Sequence, residues 1–142
     1  MKRSLLTDAC GIPLGVVVAG ANINDHKLLA DTLAAVVVRR PKASPHRPHG
    51  LCLDKGYDYP VTRVIARRRR LVLHLRTRGE ERQRRRRSKR YRARRWVVER
   101  THSWVNRFRR LLVRWEKKAD NYLGLLQCAC AVITFQQGGL FG

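Results

Sequence analysis

Two acidic residues, Asp54 and Glu99, stand where a carboxylate could do chemistry. Asp54 ends the apolar run Leu51-Cys52-Leu53 and is followed by Lys55-Gly56-Tyr57-Asp58. That pattern is a short buried strand delivering an acid to its C-terminal end, the place where α/β sheets put their ligands. The plainer alternative is a cap or turn residue, since Gly56 and Asp58 come next. Glu99 is the one acid between Glu81 and Glu116, in a stretch crowded with arginine. It is either a surface acid paired with Arg95 four residues earlier, or a metal ligand kept ionised by the flanking guanidinium groups. Two carboxylates on separate elements can share Mg²⁺ through hard oxygen donors and support a two-metal displacement at phosphorus. Residue chemistry alone leaves both alternatives open.

The elements that must position these acids follow from periodicity and turn residues. Ser4 to Ala9 and Leu14 to Ala19 read as strands joined by the turn Cys10-Gly11-Ile12-Pro13, a hairpin. Asn24 or Asp25 caps a helix expected from His26 to about Val38, with Leu28, Leu29, Leu33, Val36 and Val37 at helical spacing. Residues 39–50 carry three prolines and a glycine and are expected as a loop. The Asp54 strand comes next, then a helix over Pro60 to Arg69 and a strand over Leu71 to Leu75. Residues 76–94 are too charged to pack and are expected as a basic mobile loop. From Arg95 one apolar stripe runs through Val97, Thr101, Trp104, Val105, Phe108, Leu111, Leu112 and Trp115. It predicts one long amphipathic helix with Trp104 and Trp115 in the core. At 100° per residue Glu99 lies opposite that stripe, with Arg95, His102, Asn106 and Arg110. Tyr122 to Phe135 is apolar nearly all round and is expected as a buried helix. This order of elements is α/β with a mixed sheet.

The charge narrows the partners. The 142 residues hold 32 Lys and Arg against 10 Asp and Glu, a formal charge of +22, with 44% hydrophobic residues. The chain is long enough and apolar enough to bury a core, so it is not a disordered basic tail. Residues 63–118 hold 24 of the 32 basic residues and four of the acids. Such density on a foldable chain points to a polyanion, most often nucleic acid, and disfavours an ordinary metabolic enzyme. Four cysteines without paired spacing give neither a disulfide framework nor a zinc motif. The five histidines show no ligand spacing. No signal peptide or membrane span is visible, so the expected location is cytoplasmic.

The residues also carry a resemblance. Leu53-Asp54-Lys55-Gly56-Tyr57-Asp58, Arg95-Trp96-Val97-Val98-Glu99-Arg100-Thr101, Trp104-Val105-Asn106-Arg107-Phe108-Arg109-Arg110, the hairpin Thr7-Asp8-Ala9-Cys10-Gly11-Ile12-Pro13-Leu14 and Asn24-Asp25-His26 together resemble the DDE transposases of bacterial insertion sequences. The likeness runs over nearly the whole chain. It implies an RNase H-like domain performing Mg²⁺- or Mn²⁺-dependent DNA strand cleavage and transfer at the element's terminal inverted repeats and at target DNA, on the nucleoid. Carried over by motif, Asp54 matches the second catalytic Asp and Glu99 the catalytic Glu, both metal ligands. Arg95 matches the arginine of the family's Tyr–Arg–Glu–Lys signature. The tyrosine position falls on Arg92, beside Tyr91, and the lysine position on Asn106, beside Arg107. Lys55, Arg84, Arg85, Arg86, Arg87, Arg92, Arg95, Arg107 and Arg110 are the expected DNA contacts.

The resemblance places the first catalytic Asp on a strand before the opening hairpin. That strand would lie centrally, between the hairpin and the Asp54 strand, so the sheet is expected to lack its central member. Asp8, at the hairpin turn, is a poor substitute. Residues 1–142 then read as the C-terminal portion of one catalytic domain, a truncated remnant or the second frame of a frameshifted gene. Its expected partners are DNA and the N-terminal half of the transposase or a second copy. The competing reading is a basic nucleic-acid-binding or regulatory protein without chemistry, for which the pair Asp54 and Glu99 has no use.

The charge predicts DNA binding with little sequence preference and a steep salt dependence, because each arginine that meets a phosphate releases a counterion. Replacing Arg84, Arg85, Arg86 and Arg87 by alanine should weaken binding to unrelated duplexes alike. It should also flatten the salt slope by about one for each phosphate no longer neutralised. A salt-titrated binding assay reads both, and an affinity indifferent to salt contradicts the argument.

Overall fold

The computed structural model describes residues 1–75, 83, 86, 95–113 and 115–139. β1 (Lys2–Thr7) and β2 (Pro13–Ala19) form the expected hairpin, paired antiparallel from Lys2↔Ala19 to Thr7↔Pro13. α1 (Asp25–Ala34) follows. β3 (His49–Leu53) is joined through α2 (Pro60–Arg68) to β4 (Leu71–Leu75), and the two strands pair in parallel. α3 (Arg95–Asn106), the four-residue α4 (Arg109–Leu112) and α5 (Ala119–Gln137) complete the described elements.

Among the described residues the strands make two separate two-stranded sheets, β1-β2 and β3-β4. Among the described residues no strand hydrogen-bonds to the second edge of β1 or of β3. What joins the two sheets is α1. Leu29 and Leu33 on its inner face pack with Leu51 of β3, Ala66 of α2 and Leu71 of β4, while Leu6 of β1 borders the same cluster. A second core lies on the other face of the hairpin. There Val16 packs with Val105, Leu111, Tyr122, Leu126, Ala129, Cys130 and Ile133. The period-2 alternation of a strand explains this double use. Ser4 and Leu6 face α1 while Leu5 faces the helices behind.

α1 lies directly on β2 because Gly15 permits it. A Cβ at Gly15 would stand 2.9 Å from the Thr32 carbonyl oxygen. Beside that contact the Thr32 hydroxyl lies 2.7 Å from the Ser4 hydroxyl, both groups buried.

Four expectations are corrected. α1 stops at Ala34 rather than near Val38. The Leu33 carbonyl, which a longer helix would offer to the amide four residues on, accepts a hydrogen bond from the Arg69 guanidinium at 3.3 Å. The three β-branched valines that follow fit a helix poorly, and Val37 is 90% exposed. β3 begins at His49, inside the stretch expected as loop. The long helix from Arg95 to Trp115 is two pieces. Arg107 and Phe108 interrupt it, and Leu111 turns into the core while Trp115 is left 72% exposed. The break is held by Arg3, whose guanidinium donates to the Leu111 carbonyl at 2.6 Å and to Asn106 Oδ1 at 3.0 Å. Finally, α5 buries one stripe, Tyr122, Leu126, Ala129, Cys130 and Ile133, and leaves Val132 and Phe135 exposed. The basic loop expected over 76–94 lies outside the described residues, apart from Gln83 and Arg86.

Two glycine substitutions should have opposite effects. Gly15→Ala forces a methyl against backbone and should destabilise by about 1–3 kcal/mol. Gly124→Ala, in mid-helix with nothing within 4 Å of the new Cβ, should stabilise by up to about 1 kcal/mol. Denaturant unfolding of the two variants measures both. A neutral Gly15→Ala contradicts the close approach.

Candidate active site

Asp54 stands where the sequence places it, immediately after β3, at the head of the one-turn 3₁₀ segment Lys55–Tyr57. Its carbonyl accepts from the Tyr57 amide at 3.2 Å. The side chain does not cap that turn. Instead, Asp54 Oδ1 is buried and has no hydrogen-bond partner. A buried carboxylate oxygen without a donor is costly, and it is a hard donor suited to Mg²⁺ or Mn²⁺. So Asp54 fits a divalent cation better than it fits the cap reading.

Around it, Tyr57 packs into the α1 core together with Leu6 of β1, which ties the Asp54 turn to the hairpin. Burial, then the nearby charge of Asp25, push the Tyr57 phenol above its ordinary value. Asp54 adds to that, and the Ser4 hydroxyl opposes it. Asp25 pairs with Lys2 at 3.0 Å and Asp58 with Arg63. The His26 and Tyr59 rings stack at 3.9 Å. Lys55 is exposed beside Asp54.

Glu99 is exposed on α3, off the buried stripe of Val97, Thr101 and Val105. The first half of α3 meets the hairpin at Cys10 and Gly11, beyond the end of β1. Tyr57 packs in the same cluster as Leu6 of β1. Asp54 thus follows a strand joined to the hairpin through the α1 core, while Glu99 rides on a helix that docks on the hairpin turn. Among the described residues they share no hydrogen bond or ion pair, and no three His, Cys, Asp or Glu side chains form a metal-binding group.

Of the expected DNA contacts, Arg86 and Arg107 are exposed. Arg110 is exposed and donates to Glu116 at 3.0 Å. Arg95 opens α3. Arg84, Arg85, Arg87 and Arg92 lie outside the described residues. Asp8 has a structural task. Its Oδ1 accepts from the amides of Cys10 and Ile12, each at 2.8 Å, which shapes the hairpin turn. Sequence reasoning passed over Arg100. Its guanidinium lies between Trp96 and Trp104, with Cζ 4.5 and 4.8 Å from the ring centroids. The signal was present as Trp, Arg and Trp at steps of four, one helical face.

His102, on the same helix, is half-buried. Burial and the Arg3 charge push its imidazole below the ordinary value. The unfolded chain therefore binds this proton more readily than the folded one. The contribution of His102 should be complete above about pH 6.5, the unfolded value, and decline as pH falls below it. His102→Gln should remove that part of the slope, read from denaturant unfolding between pH 7 and 5. An unchanged slope contradicts the assignment.

Comparison with known proteins agrees with the motifs. A family model described as the transposase DDE domain matches residues 1–134. A protein of Burkholderia cepacia, described as "Putative transposase for insertion sequence element IS402", is 37% identical over 146 aligned positions. The match takes in 94% of this chain and 62% of that relative, so the chain spans less than two thirds of the curated relative's length. No solved structure matches. With the strand-end acid, the helix-borne glutamate and the hairpin motif all inside the matched segment, the chain belongs to the transposase DDE domain family.

Proposed function

We propose that this chain is the larger part of the catalytic domain of an insertion-sequence transposase, an RNase H-like domain that cuts and joins DNA at the element's inverted repeats. The observation that carries the reading is Asp54, a strand-end carboxylate with a buried oxygen that has no partner, in a chain of this family. Asp54 and Glu99 are the proposed ligands of Mg²⁺ or Mn²⁺. When bound, the metal would supply Lewis-acid stabilisation of charge on a phosphoryl oxygen. The protein's own part is to hold these carboxylates and to bring phosphates to them. Lys55, Arg107 and Arg110 are proposed to take backbone phosphates near the two acids, with Arg84, Arg85, Arg86, Arg87, Arg92 and Arg95 adding non-specific affinity. No helix among the described residues is long and apolar enough to cross a membrane, and the proposed place of action is the nucleoid.

The proposed partner is the further length that the relative has and this chain lacks, or a second copy. Support comes from the two sheets. Among the described residues β1 and β3 each have an unpaired edge, and α1 packs across both. Two-stranded sheets are marginal alone, and a strand between them would give one sheet with α1 on its face. The second reading, a non-catalytic DNA-binding or regulatory protein, is favoured by one observation. The half of α3 that bears Glu99 docks on the hairpin turn at Cys10 and Gly11, and among the described residues no three His, Cys, Asp or Glu side chains group as metal ligands.

The test is a nicking assay with Mg²⁺ or Mn²⁺ on DNA bearing the element's ends. The chain alone should not cut, because a misplaced or missing ligand costs roughly a hundredfold or more in rate. Joined to the part of the longer relative that the match leaves uncovered it should cut, and Asp54→Ala or Glu99→Ala should abolish the cutting. Robust cutting by the chain alone overturns the proposed incompleteness. Cutting that survives both substitutions overturns the assignment of the acids.

A further inference from the structure

The hairpin turn and α3 are interlocked more tightly than a surface contact requires. Gly11 has φ +85°, a left-handed conformation suited to glycine. A Cβ there would stand 3.0 Å from Thr101 Oγ1 and 3.1 Å from Arg100 Nη2. Thr101 is fully buried, and its hydroxyl donates to the Gly11 carbonyl at 2.6 Å. Arg100 donates through Nη2 to the neighbouring Cys10 carbonyl. Both carbonyls are aimed by a turn that Asp8 makes rigid, through its two side-chain bonds and the Asp8–Ile12 and Gly11–Asp8 backbone bonds.

On the helix side, Trp96 and Trp104 hold the guanidinium between them, one turn before and one turn after. Cation–π contact with both rings restrains the guanidinium and so the direction of its donors. The cost is visible at Arg100 Nε, which is buried without a partner. A planar cation kept at that cost, beside a buried hydroxyl aimed at the next carbonyl, sets both the rotation and the height of the helix against the turn. The residue directly before this pair is Glu99.

We propose that Arg100 and Thr101 are positioning residues for Glu99. They key α3 to the hairpin turn, and Trp96 and Trp104 keep Arg100 aimed. The turn motif and the helix motif are then two halves of one device that decides where the Glu99 carboxylate stands. This rests on the reading of Glu99 as a catalytic carboxylate, but its geometry is testable without activity.

The experiment places spin labels at two exposed sites, Lys55→Cys and Glu99→Cys, in the full chain with Cys10, Cys52, Cys128 and Cys130 replaced by serine. Double electron–electron resonance then reads their separation. The parent should give one narrow distribution. Arg100→Gln and Thr101→Val should each shift or broaden it by about 1 Å or more, the displacement at which a catalytic group loses its effect. Arg100→Lys should fall between, since it keeps the charge and loses the stacked plane. Trp96→Ala, at a residue 44% exposed, should broaden the distribution without opening the core, so the test does not depend on Thr101→Val folding. Ile133→Val in α5 is the control for lost stability alone and should leave the distribution narrow. An unchanged distribution in Arg100→Gln and Trp96→Ala overturns the proposal, as does equal broadening in Ile133→Val. Failure of Glu99 as a catalytic group would appear instead in the nicking assay, with the distances intact.

Discussion

Leu29 and Leu33 of α1 hold this domain together. Between β1-β2 and β3-β4 the described residues form no ladder of backbone hydrogen bonds, so backbone pairing does not join the two sheets. In its place stands apolar burial against one helix, with Tyr57 packed on the same cluster. Burial is not directional, whereas a hydrogen-bonded ladder fixes register and distance. The relative placement of the hairpin and the Asp54 strand therefore depends on how α1 fits. That explains why Gly15 admits the helix backbone so closely and why buried hydroxyls of Ser4 and Thr32 meet beneath it. Polar contacts supply the specificity that leucine packing cannot.

The same economy governs the acids. With 10 carboxylates among 32 basic residues, most acids have a cation within easy reach. Asp25, Asp58 and Glu116 pair with Lys2, Arg63 and Arg110, and Asp8 is spent on backbone amides. Against that background a buried Asp54 oxygen without a donor is conspicuous. Surface pairs of this kind contribute little to stability. Their effect here is to keep local charge balanced.

Hairpin and helices are coupled on the other face as well. Arg3 reaches from β1 to Asn106 and to the Leu111 carbonyl, and its guanidinium lies 5.8 Å from the centre of the Tyr122 ring. Tyr122 donates to the same carbonyl. β1, the break after α3 and the start of α5 are thus one cluster around a single arginine. Together with the interlock at Gly11, this ties α3 at its middle and at its C-terminal end to one hairpin.

Much of this was legible in the chain itself. The hairpin, α2, β4 and the strand delivering Asp54 follow from local rules, because turn glycines, β-branched runs and apolar alternation act over a few residues. The family motifs were legible for the same reason, being contiguous. Tertiary structure decided what depends on distant partners. Val36 and Val37 have helical spacing, yet α1 ends before them with Arg69 bonded to the Leu33 carbonyl. Trp115 has the spacing of the stripe, yet Arg3 holds the chain where it turns out of the helix. α5 reads as apolar all round, but has packing partners for one stripe. Arg100 sits in a motif that sequence credits to its neighbour Glu99. Its role appears only when a carbonyl ninety residues earlier in the chain is brought against it. Periodicity reports which face of an element is apolar. Whether that face is covered, and by what, is settled by contacts that no local pattern contains.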